Sequence, residues 1–99
     1  MARFDVYAGL GAGKSYVVDV QTELLERLAT RVVSPLLPRG TAKPVQDLNP
    51  VVQVDDREYV VMTQELSAVA RSDLRRRVGS LAERRDEITR ALDGLLTGL

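Results

Sequence analysis

The residues most suggestive of chemistry lie at positions 8–15, Ala8-Gly9-Leu10-Gly11-Ala12-Gly13-Lys14-Ser15. They match the relaxed pattern of a phosphate-binding loop, in which backbone amides cradle phosphates, the lysine reaches the terminal ones and the serine binds magnesium. That chemistry needs a helix directly after the loop, because its N-terminus supplies amides and dipole. Here Tyr16-Val17-Val18-Asp19-Val20 follows, a β-branched strand signal. No later alternation of strand and helix exists to build a parallel sheet. The segment therefore reads as a glycine-rich hairpin loop. Asp55, Asp56 and Glu58 lack the ligand spacing and glycine of a calcium loop, and read as an acidic turn. Asp86 and Glu87 are adjacent on a predicted helix and point in different directions, so they read as solvated charges. No metal site and no cofactor is expected.

Composition narrows the classes further. The chain has no histidine and no cysteine. It thus lacks the commonest general acid–base group, and thiolate ligands, disulfides and cysteine nucleophiles are excluded. Lys plus Arg number 14 and Asp plus Glu number 14, a balance that argues against nonspecific nucleic-acid binding. The run Arg75-Arg76-Arg77 reads as a solvated turn or edge. Neither a basic-then-apolar leader nor an apolar run of bilayer length is evident, so a cytoplasmic protein without membrane contact is expected. The 99 residues fit one domain over residues 1–99. A domain of this size leaves little room for a deep substrate pocket. A protein that grips another protein, and is not an enzyme, is the expectation.

The elements that must position any site follow from pattern. Residues 3–8 and 15–20 read as a hairpin around the glycine loop. Residues 24–28 read as a helical turn or a loop leaning on the core. Residues 31–37 read as a strand in which Pro35 requires an edge or a bulge. Residues 38–50, with Pro38, Pro44 and Pro50, read as an irregular surface loop. Residues 51–54 and 59–62 form a second hairpin about Asp55-Asp56-Arg57-Glu58. Residues 66–74 stay open between a helical turn and a loop. Ser80 and Glu83 have the spacing of a capping box. Beyond them Leu81, Ile88, Ala91, Leu92, Leu95 and Leu96 recur on one helical face. Asp86 and Arg90 are spaced to pair on the other, and Gly94 predicts a frayed last turn. The fold class is mainly β with a C-terminal α-helix: an antiparallel sheet, a small barrel, closed by one helix.

In this order the segments resemble the CcdB family of bacterial toxins, the toxin half of type II toxin–antitoxin modules. The resemblance covers nearly the whole chain. It rests on Arg3-Phe4-Asp5-Val6-Tyr7, Tyr16-Val17-Val18-Asp19-Val20-Gln21, Arg31-Val32-Val33-Ser34-Pro35-Leu36, Leu48-Asn49-Pro50-Val51-Val52, Val61-Met62-Thr63, and Leu81-Ala82-Glu83-Arg84-Arg85-Asp86-Glu87-Ile88 with the terminal helix. It implies a small SH3-like, CcdB/MazF-like barrel, shared with certain toxin ribonucleases, and a homodimer. It further implies binding to the A subunit of DNA gyrase, which is trapped on cleaved DNA. A CcdA-like antitoxin would neutralise the toxin, and operator DNA would be contacted only through the antitoxin complex.

By the same resemblance the gyrase contact falls on a Trp-Gly-Ile tail, here Thr97, Gly98 and Leu99. The glycine matches and the leucine is a close replacement, but the tryptophan is absent. Threonine cannot stack on an arginine, and losing such an anchor costs about 2 kcal/mol or more. A second gyrase patch corresponds to Thr22, Leu24, Leu25 and Glu26. Its two leucines are either exposed for binding or packed under the barrel. Asp93, a turn before the tail, shares its face. For Leu92, Leu95 and Leu96 a core or dimer role is expected. The loop residues Gly11, Gly13, Lys14 and Ser15 are either an antitoxin contact or a loop without one. Two alternatives stay open: a non-toxic or retargeted member serving as an antitoxin-binding regulatory module, and a toxin ribonuclease on the same fold. Missing histidine and balanced charge count against the ribonuclease.

Overall fold

The computed structural model describes residues 2–9 and 16–98. Its first hairpin pairs β1 (Asp5–Ala8) with β2 (Tyr16–Asp19), Val6 opposite Val18 and Tyr7 opposite Val17. Side chains alternate between faces along a strand. Val6 and Val18 accordingly enter the main core, while Tyr7 and Val17 join a smaller cluster with Val33 and Leu74.

The nine-residue β3 (Thr30–Pro38) is the spine of the sheet. One side pairs with β2 through residues 33–36. The other side meets two strands in turn: β6 (Ser67–Ala70) beside residues 30–33, and β5 (Arg57–Val61) beside residues 36–38. Pro35 was expected at an edge or bulge; it lies instead in this interior strand. It is tolerated because it occupies the handover between β6 and β5. Its carbonyl accepts from the Met62 N–H at 2.9 Å, and no ladder partner calls for the N–H that proline lacks.

Strand β4 (Val51–Val54) pairs with β5 across a two-residue turn, and both turn residues, Asp55 and Asp56, have positive φ (51° and 63°). That is the mirror-image turn whose twist suits a hairpin. Strand β7 (Arg76–Ser80) pairs with β1 at the other end, giving the order β4-β5-β3-β2-β1-β7 with β6 beside β3. The sheet curls into a half-barrel. A cleft lined by Val51, Val52, Ser80 and Leu81 marks where its two ends approach. Arg84 spans the gap, Nη2 donating to the Val51 carbonyl at 3.0 Å.

The irregular loop before β4 is held from below by Asn49. Its Oδ1 accepts from the Val45 N–H at 3.0 Å, and its Nδ2 donates to the Val61 carbonyl at 3.0 Å.

One α-helix, α1 (Arg85–Thr97), closes the half-barrel. Leu81, Ile88 and Leu92 reach into the core formed by Phe4, Val6, Val18, Leu36, Val52 and Val61. The expected capping box does not form. Ser80 is the last residue of β7, and its Oγ accepts from the Ala82 N–H at 3.1 Å, two residues on; a 3-10 turn (Ala82–Arg84) intervenes before the helix. The ion pair at the start of the helix is Arg84–Glu87 at 2.7 Å, not the expected Asp86–Arg90. The helix does not stop at Gly94. It runs to Thr97 and ends on Gly98 at φ 76°, whose N–H returns to the carbonyls of Asp93 and Gly94.

Candidate functional site

After β2 the chain makes a 3-10 turn at Glu23–Leu25. Thr22 starts it: its Oγ1 accepts from the Leu24 N–H at 3.3 Å and its carbonyl from the Leu25 N–H at 3.1 Å. With only three residues, the turn cannot bury an apolar face. Leu24 is 91% exposed, Leu25 50% and Leu28 47%. Of the two readings open for these leucines, the structure selects exposure. Together they line a shallow cavity of about 360 Å³ rimmed by Glu23, Glu26 and Arg27.

The segment is tied down from several sides, so its leucines are presented in a set geometry. Gln21 is buried; its Nε2 donates to the Leu25 carbonyl and its Oε1 accepts from the Val32 N–H, at 3.0 and 3.1 Å. Arg71 donates from Nη1 to the Glu26 carbonyl at 2.8 Å, and its own N–H reaches the Ala29 carbonyl at 2.8 Å. The Arg3 N–H donates to Glu23 at 3.2 Å.

The tail residues sit elsewhere. Asp93, Thr97 and Gly98 are exposed at the C-terminal end of α1. Asp93 and Thr97 share a face, and the Thr97 hydroxyl donates back to the Asp93 carbonyl at 2.7 Å. The hydroxyl is thus engaged by its own helix. The Thr22–Glu26 segment lies by the opposite end, since Thr22 and Leu24 border a cavity that Ala82 and Arg85 also line. A 13-residue helix is about 20 Å long. One chain therefore does not bring the two predicted patches together. Leu99, Gly11, Gly13, Lys14 and Ser15 lie outside the described residues. The segment that follows the glycine loop is strand β2, so the helix a phosphate-binding loop requires is not there.

Leu92 is buried, but Leu95 and Leu96 are 38% and 69% exposed, so neither is a core residue within one chain. Leu28 was not singled out from the sequence, although its place three residues after Leu25 was the available signal. The run Arg75-Arg76-Arg77 enters edge strand β7, where Arg77 pairs with the buried Asp5 at 3.1 Å.

Among the described residues, one ion pair is fully buried. Arg31 Nε donates to Asp19 Oδ2 at 2.9 Å, and Nη2 lies 2.6 Å from the same oxygen, off the line of a hydrogen bond. The Gln21 N–H donates to Asp19 Oδ1 at 3.0 Å. Burial pushes the Asp19 carboxyl above the ordinary carboxylate range, while Arg31 and the Gln21 amide pull it back. Burial also raises the neighbouring Tyr7 phenol, helped by Asp5 and Asp19. The Asp19 contacts connect β2, β3 and the start of the leucine segment, because Gln21 binds both Asp19 and the turn. They are a brace for the exposed surface and lie beneath it.

A curled antiparallel half-barrel closed by one C-terminal helix is the MazF/CcdB-like toxin fold. The Mycobacterium tuberculosis toxin MazF-mt6 has the same architecture, with a TM-score of 0.75 over 91% of this chain and 93% of that one, at 17% identity. The CcdB protein family matches residues 3–98, essentially the whole chain, and the protein belongs to that family. Membership implies the toxin of a toxin–antitoxin pair. No helix among the described residues is long and apolar enough to cross a membrane.

Proposed function

We propose that this protein is a toxin that binds the A subunit of DNA gyrase and traps the enzyme on cleaved DNA, acting by contact and not by catalysis of its own. Family membership supports the toxin role, and the observation that carries the reading is the exposed, braced leucine surface of the Glu23–Leu25 turn. Exposed apolar groups on a pre-ordered segment lose little entropy on binding, which favours a protein partner. Leu24→Ser is expected to weaken binding of purified gyrase A subunit about tenfold with no loss of thermal stability, since an exposed side chain contributes little to folding. Equal binding by the variant and the parent, measured by calorimetry, contradicts the reading.

The family's homodimer comes with this function. Exposed Leu95 and Leu96 supply apolar surface that a second copy would cover. It would also bring a second tail and a second leucine turn into one particle. Sedimentation at micromolar concentration should give the mass of two chains; a monomer rules the dimer out. A CcdA-like antitoxin is the expected neutralising partner, joining the toxin in a complex that contacts operator DNA through the antitoxin. Failure of a co-expressed antitoxin to co-purify excludes that partner.

A second reading has one observation in its favour. Thr97 stands where the family has its stacking tryptophan, and its hydroxyl is spent on its own helix. A retargeted or non-toxic member, serving as a regulatory module, fits that loss. Growth inhibition on expression without antitoxin separates the readings: a toxic chain eliminates the regulatory module.

A further inference from the structure

Beside the leucine turn lies a second, larger cleft of about 440 Å³, and its chemistry differs. Phe4, Leu24 and Ala82 supply apolar walls, and Arg3 and Arg85 supply two guanidinium groups. Arg3 is fixed: its Nε donates to the Val20 carbonyl at 3.0 Å, and its guanidinium carbon lies 4.7 Å from the centre of the Phe4 ring. Phe4 itself has φ 73°, a left-handed conformation that costs a non-glycine residue about 1–2 kcal/mol. It is held there by hydrogen bonds to the Asp19 carbonyl at 2.6 Å and from the Leu81 N–H at 2.8 Å. The strained turn drives the Phe4 ring into the core and leaves Arg3 on the rim of the cleft. Glu23 also lines the cleft, accepting from the Arg3 N–H at 3.2 Å. Two positive charges therefore face one negative.

Arg85 is the more telling of the two arginines. It is the first residue of α1, where the helix dipole favours an acid and disfavours a cation. Its neighbour Arg84 is compensated by Glu87 at 2.7 Å. Arg85 donates to the Ala82 carbonyl at 3.0 Å and has no carboxylate partner among the described residues. Arg3 has none either. Neither the helix dipole nor an ion pair gives a reason for a cation at this position.

We propose that this cleft receives a carboxylate side chain of the protein partner engaged by the leucine turn, an Asp or Glu flanked by an apolar residue that rests on Leu24. The guanidinium groups of Arg3 and Arg85 donate to the carboxylate, and Phe4 and Ala82 shield the pairing from water. The cleft thereby sets which partner surface is accepted, because an apolar segment without the acid leaves both cations unpaired. This inference rests on the reading of the leucine turn as the gyrase-binding face.

Arg85→Glu separates binding from folding, because it improves the helix N-terminus while repelling the carboxylate. Calorimetry of the full-length chain with purified gyrase A subunit is expected to show Arg85→Glu weakened about tenfold or more and Arg85→Ala by a smaller factor. Raising salt should weaken the parent more than Arg85→Ala. The melting temperature of Arg85→Glu should equal or exceed that of the parent. If the parent binds, Leu24→Ser binds poorly and Arg85→Glu binds like the parent, the cleft proposal alone is overturned. Weakened binding with a lowered melting temperature assigns Arg85 a structural role and overturns it too. A parent that does not bind the gyrase subunit removes the reading of the leucine turn, and the cleft proposal with it.

Discussion

Asp19 and Arg31 have no exposed side-chain surface, and among the described residues each is the other's only charged neighbour at bonding distance. A buried pair of this kind contributes little net stability over an apolar pair of the same shape, but removing one member strands the other. Arg31→Ala should therefore cost about 3–5 kcal/mol in urea unfolding, a large share of the roughly 5–15 kcal/mol that holds such a domain folded. The resemblance quoted both residues, yet their pairing was not legible. Arginine and aspartate twelve positions apart give no local sign that two strands will bury them together.

Charge at the surface acts in the opposite sense with pH. The Arg84 guanidinium holds the Glu87 carboxyl below its ordinary value. An acid lowered in the folded state adds stability above its unfolded pKa and gives it up as pH falls through the folded one. Asp19 is raised, so its contribution is present below the unfolded pKa and is lost as pH rises through the folded value. Asp19 thus does not drive acid unfolding. Glu87→Gln should lower the melting temperature slightly at pH 7, by no more than about 1 kcal/mol of stability for so exposed a pair. Its effect should shrink at pH 3, as the carboxyl takes up its proton. An equal effect at both pH values contradicts the pairing.

Among the elements, the β4–β5 hairpin was the most legible, because two β-branched runs flank turn-forming aspartates, although Arg57 and Glu58, expected in the turn, pair with Val54 and Gln53 as the start of β5. Asp55 has a second task, accepting from the Tyr16 hydroxyl at 2.8 Å. Asp56 has no side-chain bond of this kind among the described residues and sits at φ 63°. Asp56→Gly should raise stability by about 0.5–1 kcal/mol in chemical denaturation, since glycine adopts positive φ without steric cost. A loss of stability contradicts the turn geometry.

Strands β6 and β7 escaped the sequence reading for a shared reason. Ser67-Ala68-Val69-Ala70 and Arg76-Arg77-Val78-Gly79-Ser80 are largely exposed, so neither carries the apolar alternation that marks a half-buried strand. They are strands because β3 and β1 offer unpaired backbone beside them, which is a tertiary fact. The 3-10 turn at Glu23–Leu25 is similar. Three residues set no periodicity, so the exposure of Leu24 depends on Gln21 and Arg71 holding the segment away from the core.

For the whole molecule, the half-barrel and its closing helix were readable from pattern and resemblance together, because the core residues follow the periods of strand and helix. What the sequence did not convey is the separation of the two candidate patches. The leucine turn lies near the start of α1 and the tail at its end, about 20 Å away. Under the proposed function a single chain would offer a partner two distant contacts, and the proposed dimer would double them. Under the proposed function, a tail with Thr97 in place of a tryptophan offers less apolar surface, and more of the binding would fall on exposed Leu24, Leu25 and Leu28.

The most direct test of this account is a DNA cleavage assay with gyrase from the same organism, supercoiled DNA, ATP and the purified full-length protein. Linear DNA should accumulate with the parent and fall sharply both with Leu24→Ser and on deletion of residues 97–99. No linear DNA from a protein shown to be folded and dimeric would contradict gyrase poisoning as the activity of this chain.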